Sequence, residues 1–110
     1  MSNSSEKLFG TVSNLADILG YQPNSIVSRA LIDKKVGTVT LFSFDTGQGL
    51  SDHTAPYDAI VLIIDGEADV NLDGVQHRVK TGEAVFMGSG QMHNLRAPMP
   101  FKMLLIMVRE

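Results

Sequence analysis

Cysteine is missing from the sequence, since none of its 110 residues is Cys. This absence excludes disulfide bonds, thiolate metal sites and cysteine nucleophiles together. Because no disulfide has to form, an oxidising compartment is not required, and we expect a cytoplasmic protein. The polar start of the chain is followed by only two large apolar residues, Leu8 and Phe9, so it predicts no secretory leader.

Long apolar runs and a strong charge are missing as well. The longest apolar runs, 59–64 and 103–108, are far shorter than the ~20 residues that cross a bilayer as a helix. The formal net charge is -3, so the chain lacks the basic surface that binds a phosphate backbone. We therefore expect a soluble protein whose direct partners include neither a membrane nor a nucleic acid.

The composition that is present is that of an ordinary globular protein, with 44% hydrophobic and 19% charged residues. A chain of this length has room for one hydrophobic core. We therefore predict a disordered leader over residues 1–7 and a single domain over residues 8–110.

A short helix is predicted near the start of the domain, over residues 14–20. Asn14 is a good N-cap, Asp17 suits the positive end of the helix dipole, and Gly20 supplies a C-terminal stop. Everything after this segment has the pattern of strands and turns.

Short segments rich in β-branched and large apolar residues follow Pro23, separated by Gly, Pro, Asp and Asn. This spacing is typical of an all-β sandwich or barrel. The predicted strands are 26–32, 38–44, 59–64, 67–72, 75–79, 84–87 and 101–108.

The sharpest local signal is Asp73-Gly74, which predicts a two-residue type I′ hairpin between two alternating strands. The predicted register pairs Leu72 with Val75, Val70 with His77, and Ala68 with Val79. These pairs form one mainly apolar face. A histidine on such a face, His77, is expected to be hydrogen-bonded or half-buried rather than a ligand.

Two predicted strands, 59–64 and 103–108, are apolar at both odd and even positions. An antiparallel strand normally exposes one face to water, so these strands have to be covered on both faces. A second sheet covers one face, and a partner subunit is the simplest cover for the other. The sequence therefore predicts a homodimer.

The spacing of glycine and histidine is the most informative feature of the chain. It reads Gly47-x5-His53-x-Ala55-x3-Ala59-x6-Gly66, followed by Gly82-x5-Gly88-x-Gly90-x2-His93-x3-Ala97. The glycines and the two histidines resemble the two consensus motifs of the cupin superfamily, and the resemblance spans residues 37–108. It implies an all-β fold, a small jelly-roll barrel (a double-stranded β-helix), with a ligand site inside the barrel.

The sequence departs from the metal-binding members of that superfamily. Their first motif supplies two histidines and a glutamate, and their second supplies one more histidine. Here Ala55 and Ala59 stand at the second histidine and the glutamate, so the resemblance leaves two of four ligands, His53 and His93. The chain looks like a subgroup of small cupins with a degenerate first metal-binding motif, which carries no firm general activity.

Alternation along a strand places residues two apart on one face. If the imidazoles point inward, they share a pocket with alanine and aliphatic side chains, which is a common setting for a small-molecule site. The expected ligand-binding residues are His53, Ala55, Ala59, Val61, His93 and Ala97.

A divalent transition metal (Fe, Mn, Ni or Zn) is the predicted cofactor if there is one, with His53 and His93 as ligands. Zinc usually takes at least three protein ligands, and non-heme iron two histidines and a carboxylate. Asp58 is the candidate third ligand, with Asp52 and Gln91 behind it. Both aspartates have the wrong parity in a regular strand, so a loop or bulge would have to redirect them.

Several functions remain open at this point. The leading hypothesis is a cupin that binds a small organic ligand through His53 and His93, as a sensor, carrier or accessory protein. The alternative is a metal-dependent enzyme of dioxygenase or isomerase type. A metal-free isomerase with either histidine as general base ranks lower, because no partner acid is evident. A module without a ligand is the last alternative.

Overall fold

A computed structural model describes residues 8–109, so the predicted leader over 1–7 lies outside the described residues. A single 3-10 turn at Leu15–Asp17 precedes nine strands in this part of the chain. The strands are β1 (Ile26–Lys34), β2 (Gly37–Phe44), β3 (Gly49–His53), β4 (Asp58–Asp65), β5 (Glu67–Leu72), β6 (Val75–Lys80), β7 (Ala84–Met87), β8 (His93–Arg96) and β9 (Phe101–Val108).

The strands form two antiparallel sheets. The large sheet has the order β1-β2-β9-β4-β7, and the small sheet has the order β3-β8-β5-β6. The two sheets enclose one hydrophobic core, which is the architecture of a small jelly-roll barrel. The predicted all-β fold class is confirmed. Within residues 8–109, no helix has the length and apolar character needed to cross a membrane.

The core lies between the facing sides of the two sheets. Its buried members are Phe44, Val61, Ile63, Ala68, Val70, Val79, Val85, Met87, Leu95, Ala97, Phe101 and Met103. They stand at alternate positions of their strands because every second side chain of a strand points to the same face. Strands β4 and β9 thus use one parity for the core, and their other parity faces outward.

One end of the barrel is filled by aromatic rings. Phe44 and Phe101 are both 0% exposed and stack with ring centroids 4.5 Å apart. Gly66 lies against Phe101 with φ +71°, and a Cβ there would be 2.2 Å from the carbonyl oxygen of Pro100. Only glycine fits this position. We call this end, defined by Phe44, Gly66 and Phe101, the closed end.

The predicted hairpin is confirmed. Asp73 and Gly74 have φ of 50° and 87°, as a type I′ turn requires. The observed pairs are Leu72 with Val75, Val70 with His77, and Ala68 with Val79. The prediction of a half-buried His77 is wrong, because its strand β6 is the edge of the small sheet and leaves that side chain exposed.

The N-terminal segment forms less helix than predicted. Asn14 does cap the 3-10 turn, its side chain accepting from the Ala16 backbone N–H at 3.1 Å. Gly20 ends no helix; its carbonyl accepts from the Ser43 hydroxyl at 2.8 Å. Hydrogen bonds of this kind hold the segment against the large sheet, and they replace the bonds of a second helical turn.

Two strands were absent from the sequence prediction, β3 and β8. Their sequences, GLSDH and HNLR, contain one large apolar residue each, so they carry no strand signal of their own. They become strands because they pair with each other in the small sheet. These two strands carry the motif histidines.

Candidate functional site

His53 and His93 come together at the end of the barrel opposite the closed end. His53 is the last residue of β3, His93 is the first residue of β8, and the two are register partners. Their ring centroids lie 4.1 Å apart with planes inclined at 65°. His93 is 7% exposed, whereas His53 is exposed, so the pair reaches from the barrel interior to solvent.

Both imidazoles are held in the same way by the backbone two residues earlier. The Nδ1 of His53 lies 2.7 Å from the Ser51 carbonyl oxygen, and the Nδ1 of His93 lies 2.9 Å from the Gln91 carbonyl oxygen. A carbonyl oxygen only accepts, so each Nδ1 carries the hydrogen. In the neutral ring, Nε2 then keeps its lone pair, and within the described chain neither Nε2 has a hydrogen-bond partner.

The neighbours of the pair on the small sheet are apolar. The row of register partners that crosses this sheet runs from His53 to His93, then to Leu72 and finally to Val75. Register partners point to the same face, so these side chains stand side by side. We call this end, defined by His53, His93 and Leu72, the open end.

The large sheet contributes Ala59 to the same end. Ala59 pairs with Met87 on one side and with Met107 on the other, and it packs against the core. Val61 lies one step deeper and is 1% exposed.

Two more of the predicted ligand-binding residues, Ala55 and Ala97, do not lie in the row of the two histidines. Ala55 lies in the β3–β4 loop, where its carbonyl accepts from the Gly90 N–H at 2.8 Å. Ala97 is 1% exposed and belongs to the core, four residues or roughly 13 Å of strand away from His93. The structure thus groups Ala59 with the histidines at the open end and places Ala97 toward the closed end.

The loops that carry the two histidines are tied together. Besides the Ala55–Gly90 bond, the Asp58 carboxylate accepts from the Ser89 N–H at 3.1 Å. These bonds join the β3–β4 loop to the β7–β8 loop. They hold together the two loops that adjoin His53 and His93.

Asp73, which the sequence predicts only as a hairpin-turn residue, also contacts the segment that leads to His93. Its carboxylate accepts from the Met92 N–H at 3.1 Å and from the Gln91 side-chain amide at 3.0 Å. Its own N–H donates to the Met92 carbonyl at 2.9 Å. The turn therefore holds the two residues that precede His93. An aspartate at a left-handed turn position often accepts a hydrogen bond from a nearby backbone N–H. Here the backbone N–H belongs to Met92, which is distant in sequence.

The three residues considered as a third metal ligand all have other partners. Asp58 binds Ser89, the Asp52 carboxylate accepts from the Asn94 amide at 2.6 Å, and the Gln91 side-chain oxygen accepts from the Gly88 N–H at 3.1 Å. Among residues 8–109 no group of three or more His, Asp or Glu side chains is placed to hold a metal ion. The described side chains therefore supply two imidazole donors but no complete metal site.

Tyr57, at the edge of the open end, has a partner of its own. The guanidinium of Arg109 lies 5.4 Å from the centroid of the Tyr57 ring, a cation–π distance. The ring is therefore packed under an arginine.

Comparison with known proteins supports this fold. The profile described as "Cupin domain" matches residues 40–108, which is more than half of the chain. No curated protein matches the sequence.

Several solved structures are similar. A conserved protein of unknown function from Streptococcus pyogenes is 33% identical, with a TM-score of 0.88, over 92% of this chain and 89% of that chain. A cupin superfamily protein from Desulfitobacterium hafniense is 25% identical, with a TM-score of 0.88, over 92% and 93%. A cupin 2 conserved barrel domain protein from Leptotrichia buccalis is 39% identical, with a TM-score of 0.85, over 88% of this chain and 47% of that one.

Proposed function

The chain belongs to the cupin domain family, and from this premise we propose that it binds a small organic ligand at the open end of its barrel, through the Nε2 atoms of His53 and His93. The observation that carries the proposal is the pair of Nδ1 bonds to backbone carbonyls. These bonds leave both Nε2 atoms without a partner in the described chain. The two rings are close together, with centroids 4.1 Å apart.

The surroundings indicate the chemistry of the ligand. A neutral imidazole Nε2 accepts a hydrogen bond, so the ligand presents a hydroxyl or another donor to the pair. Leu72 and Ala59 offer apolar contact beside it. A molecule with a polar head and an apolar body, such as a hydroxy acid or an aromatic alcohol, satisfies both surfaces. The role is that of a sensor, carrier or accessory protein, and we retain the cytoplasm as its location.

A thermal-shift screen tests the proposal, with hydroxy acids, sugars and aromatic alcohols as probes and calorimetry on each hit. We expect His53→Ala and His93→Ala each to weaken a hit at least tenfold, because each removes one acceptor. The matched control is His77→Ala, since His77 is exposed on β6 and has Val70 as its register partner. A hit that survives both substitutions, or one that His77→Ala removes equally, contradicts the proposal.

A metal-dependent enzyme is the second candidate. Metal-bound histidines usually donate their other ring N–H to a carbonyl or carboxylate, which is what both rings do here. The remaining metal ligands, beyond the two imidazoles, would have to be water or a bidentate small molecule. Elemental analysis of tag-free protein purified without chelator, beside the His53→Ala/His93→Ala double variant, separates the two candidates. Stoichiometric Fe, Mn, Ni or Zn lost in the double variant favours the metal-dependent function. No metal after incubation with these ions rejects it.

A further inference from the structure

Two buried polar atoms on the large-sheet side of the open end have no hydrogen-bond partner within residues 8–109. They are the Oγ1 of Thr38 and the Nε of Arg109. The whole Thr38 residue is only 8% exposed. A buried polar atom without a partner costs free energy, so it marks a place where a bound group can supply the missing hydrogen bond.

Both residues lie on the face of the large sheet that Ala59 contributes to the open end. Thr38 pairs with Met107, and Met107 pairs with Ala59, so these side chains form one row across β2, β9 and β4. Arg109 follows Met107 by two positions, and alternation places it on the same face, diagonal to Thr38. Ala59 packs against the core, so this face is the one that looks toward the small sheet and its histidine pair.

The guanidinium of Arg109 is held in position from two sides. Its Nη1 donates to the Lys34 carbonyl at 3.3 Å, and its central carbon lies 5.4 Å from the centroid of the Tyr57 ring. The backbone N–H of the same residue donates to the Val36 carbonyl at 2.7 Å. Because the Lys34 bond uses Nη1, the Nε atom belongs to the other edge of the guanidinium, which Nε forms together with Nη2. A carboxylate binds such an edge with two parallel hydrogen bonds.

The charges around the open end favour an anionic ligand. In the described part of the chain the ion pairs belong to Arg78, and Arg109 has none. Three carboxylates at this end instead accept hydrogen bonds from N–H groups; they are those of Asp52, Asp58 and Asp73. Asp33, the register partner of Thr38, is exposed on the edge strand β1, where water weakens its field. The positive charge of Arg109 is therefore available to an anion that enters the open end.

We propose that the ligand is a small hydroxy acid whose carboxylate is bound by Arg109 and Thr38, while its hydroxyl is bound by the histidine pair. The inference rests on the proposed function, because the hydroxyl contact is the one made by the two Nε2 atoms. Packed sheets lie about 10 Å apart, so the acid lies across the open end from one sheet to the other. Arg109 and Thr38 thus determine specificity: they select an acid over a neutral alcohol or sugar.

Pairs of an acid and its primary amide test this specificity by calorimetry. The probes are lactate, mandelate and para-hydroxybenzoate, each beside its amide. The wild type should bind the best of these acids at least about tenfold more tightly than its amide, because the amide lacks the charge that strengthens the bonds to Arg109. Added salt should weaken the acid and leave the amide unchanged, since only the acid is attracted by charge.

Substitutions then test which residues produce the preference. Arg109→Gln should bring acid and amide to within about twofold of each other, and Arg109→Lys should keep part of the preference because it keeps the charge. Thr38→Val, which preserves the shape of the side chain, should weaken the acid about threefold. Arg96→Gln removes the same charge from an exposed arginine of β8 and is the matched control, so it should leave the preference intact.

The possible results separate this proposal from the proposed function. If binding depends on both histidines but acid and amide bind equally, or if Arg109→Gln keeps the preference for the acid, the carboxylate site is wrong and the proposed function stands. If acid binding depends on Arg109 but survives His53→Ala and His93→Ala, the carboxylate contact stands and the proposed function is wrong. If none of the three acids binds to the wild type, the proposal is overturned. Urea denaturation of Arg109→Gln completes the test, because a loss of stability with an unchanged preference makes Arg109 a structural residue only.

Discussion

The two ends of this barrel are built from the same alternating strands and differ in what fills them. At the closed end Phe44 and Phe101 are fully buried and stacked, and Gly66 lies directly against the backbone of Pro100 and Phe101. At the open end the small sheet carries the imidazoles of His53 and His93 beside Leu72, and the large sheet contributes Ala59. The difference shows that large rings fill one end of the barrel as core, whereas the other end carries polar side chains that reach solvent.

The two ends are also held together by different forces. The closed end depends on apolar burial, which is insensitive to the position of any single polar atom. The open end depends on hydrogen bonds between loops, such as the Gly90–Ala55 and Ser89–Asp58 bonds, which place atoms accurately. Stability and binding should therefore respond to substitutions at different ends.

Phe101→Ala should have the largest effect on stability. Removing a fully buried ring from the stack costs about 3–5 kcal/mol of unfolding free energy. Urea denaturation followed by circular dichroism measures it. Phe9→Ala is the matched control, because Phe9 is 65% exposed and should change stability by less than about 0.5 kcal/mol. Similar losses for the two variants would contradict the division between the ends.

His93→Ala should separate stability from binding. The loss of one hydrogen bond and of a largely buried ring costs on the order of 1–2 kcal/mol of unfolding free energy. The binding of a screening hit should fall at least tenfold. His53→Ala should reduce binding similarly with a smaller loss of stability, since His53 is exposed. If both variants lose stability and binding in parallel, the histidines are structural residues.

Tyr21→Phe should lower stability by weakening the attachment of the N-terminal segment to β4 near the closed end. The Tyr21 hydroxyl donates to the Asp65 carboxylate, and the ammonium of Lys102 lies 4.7 Å from the Tyr21 ring centroid. Losing the hydroxyl costs about 1 kcal/mol at neutral pH, measured by urea denaturation.

The same tyrosine predicts a dependence on alkaline pH. Burial, and then the bond to Asp65 and its charge, raise the pKa of Tyr21 well above the ordinary value of 10.0. Above that value the unfolded chain loses the proton while the folded chain keeps it. The contribution of Tyr21 is therefore complete below pH 10 and falls as the pH rises beyond it. The stability difference between wild type and Tyr21→Phe should shrink as the pH rises from about 10 to about 11. A constant difference across this range would contradict the role given to the hydroxyl.

Asp73→Asn should have the smallest effect. Asparagine tolerates the left-handed backbone of the turn, but its neutral amide accepts more weakly from Met92 and Gln91. We expect a loss of about fivefold in binding, or ~1 kcal/mol, with stability nearly unchanged. Calorimetry on a screening hit measures it. Asp69→Asn, at a carboxylate whose partner Arg78 lies on the surface, is the control and should bind normally.

Much of the barrel could be predicted from the sequence because its strands are apolar at regular intervals. The Asp73-Gly74 hairpin and its register follow from turn chemistry alone. The strands β3 and β8 could not be predicted, since only their pairing in the barrel makes them strands. The helix predicted over 14–20 is longer than the observed 3-10 turn, because the end of that segment forms hydrogen bonds to the large sheet instead.

The candidate site was predictable in part. The motif spacing led to His53 and His93, and the structure brings these two rings together. Alternation alone could not show how far along a strand a residue lies, which is why Ala97 was grouped with the pair although it sits in the core. The contact of Asp73 with Met92 joins two loops that are distant in sequence, and no local pattern encodes it.

Nitrogen-15 NMR of the three imidazoles, recorded at mildly alkaline pH, tests the central claim most directly. His53 and His93 should both carry their hydrogen on Nδ1, with an unprotonated Nε2 that shifts when a screening hit is added. His77 should show no such shift. A hydrogen on Nε2 of either paired ring, or a hit that moves His77 and leaves the pair unchanged, would contradict the account.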